Sequence, residues 1–511
     1  RLDMEYKTRI GFDNDKYLKK QTTAILERVS RFNGKLYLEF GGKILYDYHA
    51  SRVLPGFTPN VKIRLLQELK EEVDVIMCIH AGDIERHKIR ADFGITYDID
   101  VLKSIDDLKW YGIHIAAIVI TRFNNQPAAV AFKNKLERNG IKVYVHYPTK
   151  GYPTNVDLIV SDEGYGANEY IETTRPIVVV TGPGPGSGKL ATCLNNLYHE
   201  HKRGIKSGYA KFETFPIWDL PLDHMVNIAY EAATADLKDV NMIDTHHLKA
   251  YGKTTVNYNR DIEAFSLLER ILNKITGGES VYKSPTDMGV NCINAGIIND
   301  QACQEAAYQE IIRRHLRSFV DYAMGRTGKD VLDRCEEIMA RVGAKDTNRR
   351  VVSPAREAAI KSEQEGKGYK GIYCGAAIEL ADGAIIIGKN SDILHASSSM
   401  ILNATKYLAG IPDNMVLLPE TIIDSVTHMK RDLLNGKNAS LDVEETLIAL
   451  SISAVSNPAA QMALEKLTEL NNCEMHSTHI PTPGDEDGLR KLKINVTSDP
   501  VFSSKRLFVS E

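Results

Sequence analysis

The chain has 511 residues, 43% hydrophobic and 25% charged, with a net charge of −4. That length implies about three or four domains with sizeable cores, and the balance excludes a disordered chain. The small net charge and the lack of a dense basic block argue against a nucleic-acid partner.

No apolar run reaches the roughly 18 residues of a membrane helix, and the polar start at residues 1–7 lacks a signal-peptide pattern, so no membrane partner is expected and the cytoplasm is the expected location. The cysteines at 78, 193, 292, 303, 335, 374 and 473 are odd in number and contain no C-x-x-C pair, which argues against structural zinc and against a disulfide scaffold.

Residues 15–32 read as an amphipathic helix and 35–40 as a strand running into Gly41 and Gly42. A helix at 61–69, strands at 73–80 and 113–121, a helix at 127–139 and a strand at 141–146 follow. This alternation predicts a mostly parallel, doubly wound α/β sheet, with ligands beyond the carboxyl ends of the strands, where Gly41, His80, Thr121 and Gly182 fall. The polar segment 80–92 offers Arg86, Lys88 and Arg90 to a phosphate and His80 or Asp83 as a base; it reads equally well as a solvated helix start.

The most informative stretch is 177–189, IVVVTGPGPGSGK, followed by apolar residues at helical spacing. Strand, glycine loop and helix in that order make a phosphate cradle, because glycine permits close backbone approach and the helix N-terminus favours an anion. Gly182, Gly184, Gly186, Ser187, Gly188 and Thr192 are candidate ligand contacts, and Lys189 is the candidate charge. The match to G-x-x-x-x-G-K-[ST] is imperfect: Pro183 stands at the first glycine and Leu190 at the magnesium-holding hydroxyl. Thr192 lies about 200° further round the helix than Leu190. A stiff connection packing strand on helix is the alternative reading.

Downstream, 215–224 (FPIWDLPLDH) supplies Asp219 and Asp223 as candidates for magnesium or acceptor contact, with a rigid proline turn as the plain alternative. The stretch 241–261 is dense in hydrogen-bonding side chains and includes His247 as a candidate catalytic base. Residues 261–365 read as helices, and 366–511 as a hairpin, a helix at 397–408 and a strand near 415–418. Three regions result: 4–260, α/β with the glycine loop; 261–365, helical; 366–511, a smaller α/β subdomain.

The runs TGPGPGSGKLATC, LYLEFGGKILYDYHASRVLPGF, SGYAKFETFPIWDLPLDHMVNIAYEAATADL, VNMIDTHHLKAYGKTTVNYNRDIEAF and SPTDMGVN resemble the bacterial family called domain of unknown function eighteen-forty-six, over nearly the whole chain. The resemblance implies an α/β N-terminal region, a helical middle and a C-terminal subdomain similar in topology to cytidine deaminases. It implies no catalytic residues. A zinc deaminase site is not expected, because His395 is followed by Ala396 and Ser397 rather than by x-Glu, and only Cys473 remains downstream.

The leading expectation is an enzyme that binds a nucleotide or another phosphorylated small molecule at the glycine loop. Phosphoryl transfer would use Lys189, with magnesium at Asp219 or Asp223. One alternative is metal-independent conversion of a sugar phosphate or nucleotide through His80 or His247. The other is a regulatory ligand-binding protein. A symmetric homo-oligomer is the expected assembly.

Overall fold

Val73–His80 is almost wholly apolar because it is covered on both faces, as a central parallel strand must be. In the computed structural model, which describes residues 9–278 and 281–506, this strand lies inside a seven-stranded sheet. The polar start at 1–7 lies outside the described residues, as do the outer limits of the regions 4–260 and 366–511. The chain divides into two compact units, one spanning Arg9–Ala307 and the other beginning at Tyr308.

In the first unit the strands are β1 (Leu36–Phe40), β2 (Val73–His80), β3 (His114–Thr121), β4 (Val143–Val145), β5 (Ile177–Thr181), β6 (Gly208–Phe212) and β7 (Gly289–Val290). Their order is β7-β6-β1-β5-β2-β3-β4, and every neighbouring pair is parallel. The doubly wound reading therefore holds. The glycine-loop strand β5 is inserted between β1 and β2, so its loop emerges in the middle of the sheet's carboxyl edge. Crevices of this kind are where open α/β sheets bind ligands.

One face of the sheet carries Tyr37, Val178, Val180 and Tyr209. It is covered by Cys193, Leu194 and Leu197 of the helix Lys189–Lys202 and by Phe265, Ile271, Leu272 and Ile275 of the helix Asn259–Thr276. Fully burying one such aliphatic or aromatic side chain contributes about 1.5–3 kcal/mol, so these contacts fix where both helices begin. The boundary between the units falls within the helix Asp300–Ala323, and the later helices Lys329–Val342 and Val352–Gln364 belong to the second unit.

The second unit has a four-stranded mixed sheet of β8 (Gly375–Glu379), β9 (Ile385–Lys389), β10 (Glu474–Ser477) and β11 (Asn495–Ser498), in the order β9-β8-β10-β11. Only β10 and β11 are parallel. The expected hairpin and helix are present, the helix spanning Ala396–Ala409. The expected strand near 415–418 is not: that segment is irregular. Leu417 and Leu418 are buried among helices, and Ser453 Oγ donates to the Leu417 carbonyl at 2.6 Å. A short apolar run does not distinguish a strand from a coil pressed into a helical core. Among the described residues no helix is long and apolar enough to cross a membrane.

Candidate functional site

The loop after β5 is shaped by close contacts. Gly188 has φ +90° and begins the helix; a Cβ there would lie 2.7 Å from the Thr121 side chain, so conformation and space both require glycine. Thr121 Oγ1 donates to the Ser187 carbonyl at 2.7 Å, and Ser187 Oγ donates to the Gly184 carbonyl at 2.6 Å. Tyr97 closes against Gly184. Gly186, at φ +74°, faces open space. Among the described residues, the backbone N–H groups of Gly186, Gly188, Lys189, Leu190 and Ala191 donate to no protein acceptor. These are the orphan donors of a helix start, collected on one loop.

Lys189 is half-buried and has no ion-pair or hydrogen-bond partner among the described residues. Burial lowers its pKa, partly opposed by nearby Glu39 and reinforced by Lys211. A partly desolvated ammonium beside unpaired amides is a ready site for an oxyanion. Behind Gly182 and Pro183 there is only about 30 Å³ of space, roughly one water, so a ligand must approach from the Gly186 side.

Beside the loop lies a cluster that sequence reading missed. Glu39 on β1 is in register with Val180 on β5 and Lys211 on β6. Alternation then places Tyr209, Lys211 and Glu213 on one face. Tyr209 donates to Glu39 Oε2 at 2.6 Å. Lys211 Nζ bonds Asp261 Oδ2 at 2.7 Å, bonds the Tyr258 hydroxyl, and sits 3.6 Å from Glu213 Oε1. Burial raises the Glu213 carboxyl to about 8, with Lys211 opposing and Asp261 adding to the rise. Its Oε1 is buried without a hydrogen bond, as is the neighbouring Thr214 Oγ1. The available signal was a charge inside each of two otherwise apolar strands, LYLEF and GYAKF.

The other sequence candidates are engaged elsewhere. Arg90 is buried and saturated by Asp92 at 2.9 and 3.1 Å, Asp100 at 3.0 Å, and the Leu45 and Tyr46 carbonyls. Arg86 pairs with Asp83, and Lys88 lies over the Tyr97 ring. His80 caps the helix Ala81–Glu85, its Nδ1 accepting from Gly82 N at 2.7 Å, and burial lowers its pKa. Thr192 turns inward, donating to the Gly188 carbonyl at 2.8 Å. His247 contacts Ser284 Oγ at 2.7 Å within a capping network around Asp244. Asp219 and Asp223 are exposed; Asp219 accepts from Asn294 at 3.1 Å. Cys193, on the helix that follows the loop, is buried, and desolvation pushes its thiol well above the usual range.

The comparisons with known proteins decide the family. Residues 10–343 match the model for the N-terminal part of domain of unknown function DUF1846, and residues 347–508 match that for its C-terminal part. The chain belongs to the DUF1846 family. It is 57% identical over 500 residues to a UPF0371 protein of Clostridium botulinum (strain Alaska E43 / Type E3), covering 98% of this chain and 99% of the relative. A UPF0371 protein of Clostridium tetani (strain Massachusetts / E88) is 56% identical with the same coverage. One of Clostridioides difficile (strain 630) is 55% identical over 503 residues, 98% of this chain and all of the relative.

In this DUF1846 chain the glycine loop, Lys189 and the Glu39–Lys211–Glu213 cluster all belong to the unit Arg9–Ala307. Strand ends and two helix starts converge there, bringing anion donors and a proton-bearing carboxyl to one edge of a rigid sheet. The Ser187 and Thr192 hydroxyls donate to the Gly184 and Gly188 carbonyls, and position 190, where the phosphate-loop pattern has a hydroxyl, is leucine. Among the described residues no three His, Cys, Asp or Glu side chains gather in a metal-holding group.

Proposed function

We propose that the protein is an enzyme acting on a phosphorylated small molecule, a nucleotide or sugar phosphate, by metal-independent acid–base chemistry. The observation that carries this reading is Lys189, an unpaired, half-buried ammonium amid undonated amides at the centre of the sheet's carboxyl edge. The phosphate rests on the N–H groups of residues 186–191 and against Lys189. Glu213, raised to about 8, is protonated near neutral pH and can give a proton to the substrate; Lys211 and Asp261 hold the charge balance around it.

A second reading, phosphoryl transfer with magnesium at Asp219 or Asp223, is favoured by the order of strand, glycine loop and helix with lysine as the first helical residue. The two separate under chelation. Once an unbiased metabolite-binding screen has supplied the ligand, turnover is measured in excess EDTA with Asp219→Asn and Asp223→Asn combined. Full turnover supports the metal-independent reading. Loss of turnover with binding retained supports the second.

A further inference from the structure

The second unit contains a cavity of about 340 Å³, within the size range of metabolite sites. Its lining includes His395, the residue preceding the 14-residue helix Ala396–Ala409, and Asp485, in the first turn of the 9-residue helix Pro483–Lys491. Both helices therefore open their N-terminal ends on the same cavity.

Among the described residues Asp485 is the only carboxylate in the lining, and both of its oxygens are engaged: Oδ2 with His395 Nδ1 at 2.8 Å and Oδ1 with Val443 N at 2.9 Å. His395 Nε2 faces Asn438 Nδ2 at 3.1 Å. The Asn438 amide is oriented by Ser440, whose N–H and hydroxyl donate to its Oδ1 at 3.2 and 2.8 Å. The imidazole is thereby fixed at both nitrogens. The rim carries Lys437 and Arg506, neither with an ion-pair partner among the described residues, and Lys370, whose Nζ donates to the Lys437 carbonyl at 3.0 Å. Hydroxyls of Ser397 and Ser503 add donors to the wall, while that of Ser477 donates to the His479 carbonyl at 2.8 Å.

Unneutralised cations at the rim, two helix starts in the lining and no unengaged carboxylate among the described residues define what the cavity accepts. We propose that it is a second ligand site, separate from the glycine loop, for a small metabolite bearing an oxyanion, phosphate or carboxylate. The oxyanion meets Lys437 and Arg506, and the His395–Asp485 pair orients the rest of the molecule. The inference does not depend on the reading of the glycine loop, which lies in the other unit.

Hydrogen exchange read by mass spectrometry tests the two sites separately in one chain. The protein is titrated with inorganic phosphate and, in a parallel arm, with citrate, and protection is followed at residues 391–400, 436–443 and 479–487. Protection by phosphate alone identifies a phosphoryl group, by citrate alone a carboxylate, and by both a general oxyanion site. In Lys437→Ala/Arg506→Ala, changed only at exposed positions, the concentration for half-protection of these peptides should rise at least about tenfold, while residues 182–192 respond as in the parent. Absence of protection in both arms would overturn the proposal, and so would protection that the double variant leaves unchanged.

Discussion

Two basic residues near the glycine loop have opposite fates. Arg90 is buried and meets two carboxylates and two backbone carbonyls, so every face of its guanidinium is used. Lys189 is half-buried and meets none. Both looked like phosphate contacts in sequence. The difference teaches that a site is marked less by a cation than by a cation left unneutralised, since desolvation penalises an unpaired charge unless a ligand completes it.

The comparison can be broken by substitution. Arg90→Ala should cost about 3–5 kcal/mol of stability, because it strands the buried Asp100 and leaves Asp92 with Lys43 alone, near the hairpin Ile89–Thr96, and chemical denaturation would measure it. A loss below about 1 kcal/mol would mean that Arg90 is not structural.

Next in size, Glu213→Gln should lower turnover at least about a hundredfold while leaving ligand affinity within about threefold, as for a lost general acid. It also has a stability signature. A carboxyl at about 8 in the fold against 4.5 when exposed takes up a proton on folding between those values, so the parent loses stability as pH rises through that window. The glutamine variant should lose that slope, as denaturation at pH 5 and pH 8 would reveal.

Lys189→Ala should weaken binding of a phosphorylated ligand by at least about tenfold and leave the melting temperature unchanged or higher, since removing a desolvated, unpaired ammonium relieves a cost. Asp219→Asn and Asp223→Asn should have the smallest effect, within about 0.5 kcal/mol of stability and with activity intact, because both side chains are exposed.

How much was legible in the sequence follows from locality. Strand Val73–His80 and the helix before it, Val61–Glu68, announce themselves through apolar periodicity, and the glycine loop through its composition, whereas the helix Tyr97–Trp110 after it went unread. Periodicity failed where an apolar run is irregular, at Leu417 and Leu418, and it passed over β10 and β11, whose sequences EMHS and NVTS carry little apolar alternation. The Glu39–Lys211–Glu213–Asp261 cluster was missed for a different reason: its charges show in the strands, but their pairing does not. Its members come from two strands and a helix start more than 200 residues apart, and only register joins them. Likewise, nothing local distinguishes the saturated Arg90 from the unpaired Lys189.

The account's central claim is that the glycine loop and Lys189 hold a phosphate without metal. The most direct test is the affinity, by calorimetry in excess EDTA, of the phosphorylated metabolite that the parent retains, measured for the parent and for folded Lys189→Ala. The account predicts binding that survives the chelator and falls at least about tenfold in the variant. Equal affinity for the two proteins, or binding abolished by EDTA, would contradict it.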